Sequence, residues 1–168
     1  LAFAPVPGIC SDVPAFQVTQ AQLLNALPGG PAVFSGNGVS PTGLFNPAAA
    51  GVGTHILRYS YTGTNGCSNF LEQPIEVYPD PVINAGPDKV VLEGGQVRLT
   101  PAASIGIPVT YLWTPALGLN DPTIPFAIAA PSADRTYTLT VTSDKGCTDS
   151  DDVFVKVLKM PKIPNTFT

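Results

Sequence analysis

Thr136-Tyr-Thr-Leu-Thr-Val-Thr142 alternates strictly, with Tyr137, Leu139 and Val141 on one side of an extended chain and four threonines on the other. A period of two, with β-branched residues at the polar positions, is the pattern of a half-buried antiparallel strand. Downstream, across a hairpin turn containing Gly146-Cys147, Val153-Phe-Val-Lys-Val-Leu158 reads as the closing strand. Upstream, Lys89–Leu92 and Gln96–Thr100 flank Glu93-Gly-Gly-Gln96 as strand, tight turn and strand. Thr110–Thr114 is a central strand, and its Trp113, the only Trp of the chain, is expected in the core with Tyr137, Leu139 and Val141.

Laid over itself with an offset of 80, the sequence places Asn65-Gly-Cys-Ser68 on Lys145-Gly-Cys-Thr148. Leu57, Tyr59 and Tyr61 then fall on Tyr137, Leu139 and Val141, and Ile75-Glu-Val77 on Val155-Lys-Val157. Self-similarity at one fixed offset means two modules of about 80 residues. Tyr78-Pro-Asp-Pro81, where two prolines favour an extended path, is the expected linker. The expected organisation is a first module at 1–79, a second at 80–160 and a tail at 161–168. In the first module Ala15–Thr19, Ala32–Ser35, Gly43–Asn46, His55–Thr62 and Gln73–Tyr78 read as strands, and Gln20–Ala26 as one helical turn. Short strands between Gly and Pro turns predict an all-β fold of two tandem antiparallel β-sandwiches joined by a short Pro-containing linker.

Composition supports this. The 16 Gly and 19 Pro of the 168 residues exclude a helix bundle, while 44% hydrophobic content provides a core. Charged residues are only 12%, with 8 Lys and Arg against 12 Asp and Glu, and no basic cluster suits a phosphate backbone, so nucleic acid is not an expected partner. No apolar run reaches the length of a spanning helix, and Ile124–Ala130 is broken by Pro125. Leu1-Ala-Phe-Ala-Pro-Val-Pro7 lacks the zones of a signal peptide and reads as the interior of a longer precursor.

Residues able to do chemistry are few. His55 is the sole histidine and reads as structural, because no sequence partner accompanies it. Gly36-Asn-Gly-Val-Ser-Pro41 has Pro41 where a dinucleotide fingerprint needs glycine, so it is a turn. Tyr59 and Tyr61 alternate onto one face of their strand, which is expected to be the core face rather than a sugar-stacking platform. No catalytic residue and no cofactor is expected; the weak candidates for a metal are Asp144, Asp149, Asp151 and Asp152, carboxylates around the last hairpin that could offer Ca²⁺ its oxygen ligands. The cysteine spacing and the single His exclude a zinc ribbon. Cys67 and Cys147 are equivalent positions a whole module apart, so the expected disulfide is Cys10 with Cys67, leaving Cys147 as a free thiol; the alternative is three reduced thiols.

Ala85-Gly-Pro-Asp88, Leu92-Glu-Gly-Gly95, Tyr111-Leu-Trp-Thr-Pro115 and Gly146-Cys147 resemble the PKD-like Ig modules of large bacterial surface proteins. Phe34-Ser-Gly-Asn-Gly-Val39, Phe45-Asn-Pro47 and Ala50-Gly-Val-Gly-Thr54 resemble the Ig-like repeat that precedes them in gliding-motility-associated adhesins. Lys162-Ile-Pro-Asn-Thr-Phe-Thr168 resembles the opening of a type B sorting domain of the type IX secretion system, with Ile163, Pro164, Asn165 and Phe167 at its start. The resemblance implies export through the outer-membrane translocon with its shuttle protein, an extracellular or cell-surface location, and a non-enzymatic stalk or adhesive role. Its partners would be neighbouring modules and a surface glycan or protein. The competing expectation is a pair of accessory modules, glycan-binding or spacing, of a secreted hydrolase.

Overall fold

A computed structural model describes residues 1–24, 29–103 and 108–161. The chain forms two compact units, Leu1–Asp80 and Pro81–Thr168. Both are almost entirely β, and each has its own core.

The first unit runs β1 (Ala2–Phe3), β2 (Ile9–Cys10), β3 (Phe16–Gln17), β4 (Ala21–Gln22), β5 (Val33–Ser35), β6 (Leu44–Phe45), helix α1 (Pro47–Ala50), β7 (Gly53–Thr62) and β8 (Ser68–Tyr78). Its main sheet has the order β2-β8-β7-β5, faced by the small pairs β1-β4 and β3-β6. Along β7 and β8 the residues alternate, so Leu57, Tyr59, Ile75 and Val77 are buried with Phe34 and Phe45 in one cluster. The helical turn expected at Gln20–Ala26 does not form at Ala21–Gln22, which pair as a strand with Ala2–Phe3; that pairing overrides a weak local propensity. Residues 25 and 26 lie outside the described residues. The helix is instead α1, with Pro47 at its start and Asn46 capping the Ala49 N–H at 3.2 Å.

The second unit runs β9 (Ile83–Asn84), β10 (Lys89–Leu92), β11 (Val97–Arg98), β12 (Ala102–Ala103), β13 (Val109–Thr114), β14 (Ile128–Ala129), β15 (Arg135–Ser143) and β16 (Thr148–Leu158). Its main sheet has the order β10-β16-β15-β13, with β11-β14 and β9-β12 as the small pairs. Trp113, Tyr137, Leu139 and Val141 are buried together with Leu99, Val153 and Val155. The Trp113 indole N–H donates to the carbonyls of Ile124 at 3.1 Å and Pro125 at 3.3 Å, so its polar atom is satisfied inside the core.

The 80-residue repeat has a structural basis. In each unit a long hairpin closes through the same turn: Gly63 N–H bonds Cys67 O at 2.9 Å, and Ser143 N–H bonds Cys147 O at 2.8 Å. Gly66 and Gly146 take φ of +78° and +85°, where a side chain would be strained, and this accounts for the shared glycine of the two turns. Phe34 stands opposite Tyr59 where Trp113 stands opposite Leu139, so Phe34 is the counterpart of the tryptophan. The main sheets are antiparallel with one exception apiece, since β2 runs parallel to β8 and β10 parallel to β16.

Candidate interaction surface

Three of the side chains that sequence reading marked for chemistry, Asp149, Asp151 and His55, are engaged in holding the backbone. Asp149 and Asp151 point to the inner side of β16, where their carboxylates accept the N–H groups of Ile83 at 2.8 Å and Ala85 at 2.9 Å. Two acceptors two residues apart match two donors two residues apart, so these aspartates tie the entering chain to the hairpin. Asp152 falls on the opposite face, and Asp144 lies 3.7 Å from Lys145 at the turn. Among the described residues these four carboxylates do not converge as a metal-ligating group. Asp88 and Asp134, which sequence reading missed, accept the N–H groups of Phe154 at 2.9 Å and Val157 at 2.7 Å, extending the β16 ladder past its strand partners. His55 Nε2 lies 2.7 Å from the Gly51 carbonyl and Nδ1 lies 3.5 Å from the Asn37 amide, which itself donates to Ala50 O at 2.8 Å. The imidazole thus secures the loop after α1.

The cysteine assignment requires correction. Cys67 is a free, exposed thiol, whereas Cys10 and Cys147 are disulfide-bonded. Cys10 stands opposite Tyr78, at one end of β8, while Cys67 precedes Ser68 at the other end. Eleven residues of strand separate the two ends, roughly 35 Å at about 3.3 Å per residue, against about 7 Å allowed between bridged Cα atoms. Cys147, expected as a free thiol, is instead oxidised and buried.

Two groups have shifted acidity. Burial pushes the Tyr137 hydroxyl above its usual range, partly opposed by the charge of Arg135, and the hydroxyl donates to Leu117 O at 3.0 Å. The Thr123 hydroxyl and N–H, at 2.7 and 2.8 Å, hold Asp121 below the ordinary carboxylate range within an exposed turn. An open cavity of about 410 Å³ on the second unit is lined by Ser132, Ala133, Asp134, Val157 and Lys159, and its one carboxylate is the one bound to Val157 N–H.

What the units present outward is apolar surface carrying an arginine. On the outer face of β7 and β8, the Arg58 guanidinium lies 4.0 Å from the centre of the Phe70 ring and 2.9 Å from the Glu72 carboxylate. Exposed Ile56 and Val33 flank it. In the second unit Arg98 lies 4.9 Å from the Phe126 ring, beside Ile128, its partner across β11 and β14. Sequence reading passed over both. The available signal was alternation, since Arg58 and Phe70 occupy the positions between inward-facing residues.

Two strand-rich sandwiches with these surfaces define the class: tandem Ig-like β-sandwich modules. No family model and no curated protein matches the chain. Among solved structures it is similar to a C-terminal fragment of intimin, in complex with the intimin-binding domain of its translocated receptor, at 14% identity and a TM-score of 0.46. That match covers 72% of this chain and 50% of the fragment, so the chain spans half the length of that relative. The tandem Ig repeats of Dlar are similar at 17% identity and a TM-score of 0.37, covering 77% of this chain and 83% of theirs. Drosophila N-cadherin EC1-4 is similar at 13% identity and a TM-score of 0.37, covering 94% of this chain and 49% of its own. All three scores are below one half, so the architecture rests on the strand order given above. Among the described residues no helix is long and apolar enough to cross a membrane.

Proposed function

We propose that this chain is a non-enzymatic, adhesin-type stalk or spacer segment of a cell-surface or secreted protein, exported by the type IX secretion system. The observation that carries the reading is the division of labour among polar side chains. Asp88, Asp134, Asp149, Asp151 and His55 spend their polar atoms on backbone groups, while the outer sheet face displays Arg58, Phe70 and Ile56 to solvent. Exposed aromatic and arginine side chains are those that dominate protein contacts. The export route rests on the resemblance of residues 162–168 to a sorting-domain opening, and Ile163, Pro164, Asn165 and Phe167 lie outside the described residues. Extracellular location follows from that route and agrees with oxidised Cys10 and Cys147.

The test is deletion of residues 1–160 from the protein that carries them, in cells that display it. Loss of attachment to a protein- or glycan-coated surface, with secretion intact, is the expected result. Unchanged attachment together with reduced hydrolysis of an insoluble glycan would replace this reading with that of accessory modules of a secreted hydrolase. Retention of the protein in the periplasm after removal of residues 162–168 and whatever follows them would support the export route.

A further inference from the structure

The outer face of the first unit has an internal symmetry in its charges. The β7–β8 register sets Arg58 opposite Glu72, Ile56 opposite Pro74 and Ser60 opposite Phe70, while Val33 of β5 stands opposite Ser60. These residues alternate with the inward-facing Leu57, Tyr59 and Ile75, so they share one outward face. Ile56 is 51% exposed, Phe70 47% and Val33 39%, and the Arg58 and Glu72 side chains are 46% and 43% exposed. Arg58 is the only Lys or Arg among residues 1–80. Its guanidinium carbon sits over the Phe70 ring, 4.0 Å from the centroid, which limits the rotamer freedom it would lose in a contact.

We propose that this face is a self-complementary contact between two copies of the chain, related by a two-fold axis parallel to β7 and β8 and midway between them. Such an axis exchanges β7 and β8 at the same height. Arg58 of each copy then meets Glu72 of the other, Ile56 meets Pro74, and Phe70 lies over Ser60 and Val33. A two-fold axis across the strands at the level of the ion pair would instead oppose Arg58 to Arg58 and Glu72 to Glu72. Like charges in contact are costly, so the charge pattern selects the first arrangement. Two sheets stacked this way are also in the aligned geometry that twisted sheets adopt.

The face is small. Ten residue pairs along β7 and β8, at about 3.4 Å per residue and about 4.8 Å per strand over three strands, give roughly 500 Å² per copy. A stable complex buries about 800 Å² per partner, so the association is weak and gains strength when many copies share one surface. The inference stands on this face alone and is independent of the adhesive reading.

Sedimentation of the full 168-residue chain tests it, with Cys67→Ser throughout so that the exposed thiol cannot cross-link copies. The parent should show a concentration-dependent rise in mass up to about 1 mM, weakened by salt. Arg58→Glu alone and Glu72→Arg alone should remain monomeric, because positions 58 and 72, which meet across the axis, then carry like charges, while Glu76 faces Thr54 of the other copy. An equimolar mixture of the two variants should associate at least about tenfold more tightly than either alone, because at positions 58 and 72 a carboxylate then meets a guanidinium both times the two positions cross the axis. Circular dichroism of each variant should match the parent. A parent that is monomeric throughout, single variants that associate like the parent, or a mixture no tighter than its components would each overturn the proposal.

Discussion

The Asp151 carboxylate accepts the backbone N–H of Ala85 at 2.9 Å, joining residues 66 positions apart. Ala85 is fully buried, so its N–H has no water to turn to if the acceptor is removed. Asp151→Ala should therefore lower the stability of the second unit by about 1–3 kcal/mol. The melting temperature followed by Trp113 fluorescence should fall by several degrees, about 4–8 °C per kcal/mol for a unit of this size. Asp152→Ala, on the outer face, should change it little. Added Ca²⁺ should leave the parent's melting temperature unchanged, because Asp149 and Asp151 are committed to backbone donors.

Alkylation separates the cysteines. Under native, non-reducing conditions iodoacetamide should modify Cys67 alone, because it is free and exposed. Peptides carrying Cys10 and Cys147 should be modified only after reduction and unfolding, as both are disulfide-bonded. Mass spectrometry that finds Cys67 protected would contradict this assignment.

Trp113 and Phe34 occupy corresponding places in the two cores. Trp113→Ala should cost about 3–5 kcal/mol in the second unit, and Phe34→Ala a similar amount in the first. Trp113→Phe should cost less, retaining an aromatic ring but depriving the Ile124 and Pro125 carbonyls of their donor. Urea titration monitored by far-UV circular dichroism gives all three values.

Tyr137 predicts an alkaline limit. Burial raises the pKa of its hydroxyl in the folded state, so the folded state favours the neutral phenol. The stabilisation is complete below the unfolded value near 10 and is lost as pH rises through the folded value. Ionisation also removes the hydrogen that Tyr137 donates to Leu117 O. Stability should decline above about pH 10 in the parent, and Tyr137→Phe should flatten that decline at the cost of about 1 kcal/mol at neutral pH. Melting temperatures measured between neutral and strongly alkaline buffer would show it.

The alternation of Tyr137, Leu139 and Val141 was sufficient to assign a strand and its buried side, because successive side chains of an extended chain must point opposite ways. The Gly66 and Gly146 turns were equally legible, since positive φ is a local demand that glycine meets. So was the core place of Trp113, the largest apolar group in its module. Those properties depend on a few neighbouring residues.

Pairing across long stretches of chain had no such local mark. Cys10 could not be assigned until β2 was seen beside the Tyr78 end of β8, parallel to it and a full strand length from Cys67. Asp149 and Asp151 looked like cation ligands because isolated acidic residues carry no sign of the N–H groups that Ile83 and Ala85 bring to them. The Arg58, Phe70 and Glu72 cluster arises from register: a shift of one residue between β7 and β8 would separate them and turn one strand's side chains to the opposite face. Alternation and turns follow from short-range sterics along the chain, whereas partners and register follow from the burial that the packed sheets achieve together.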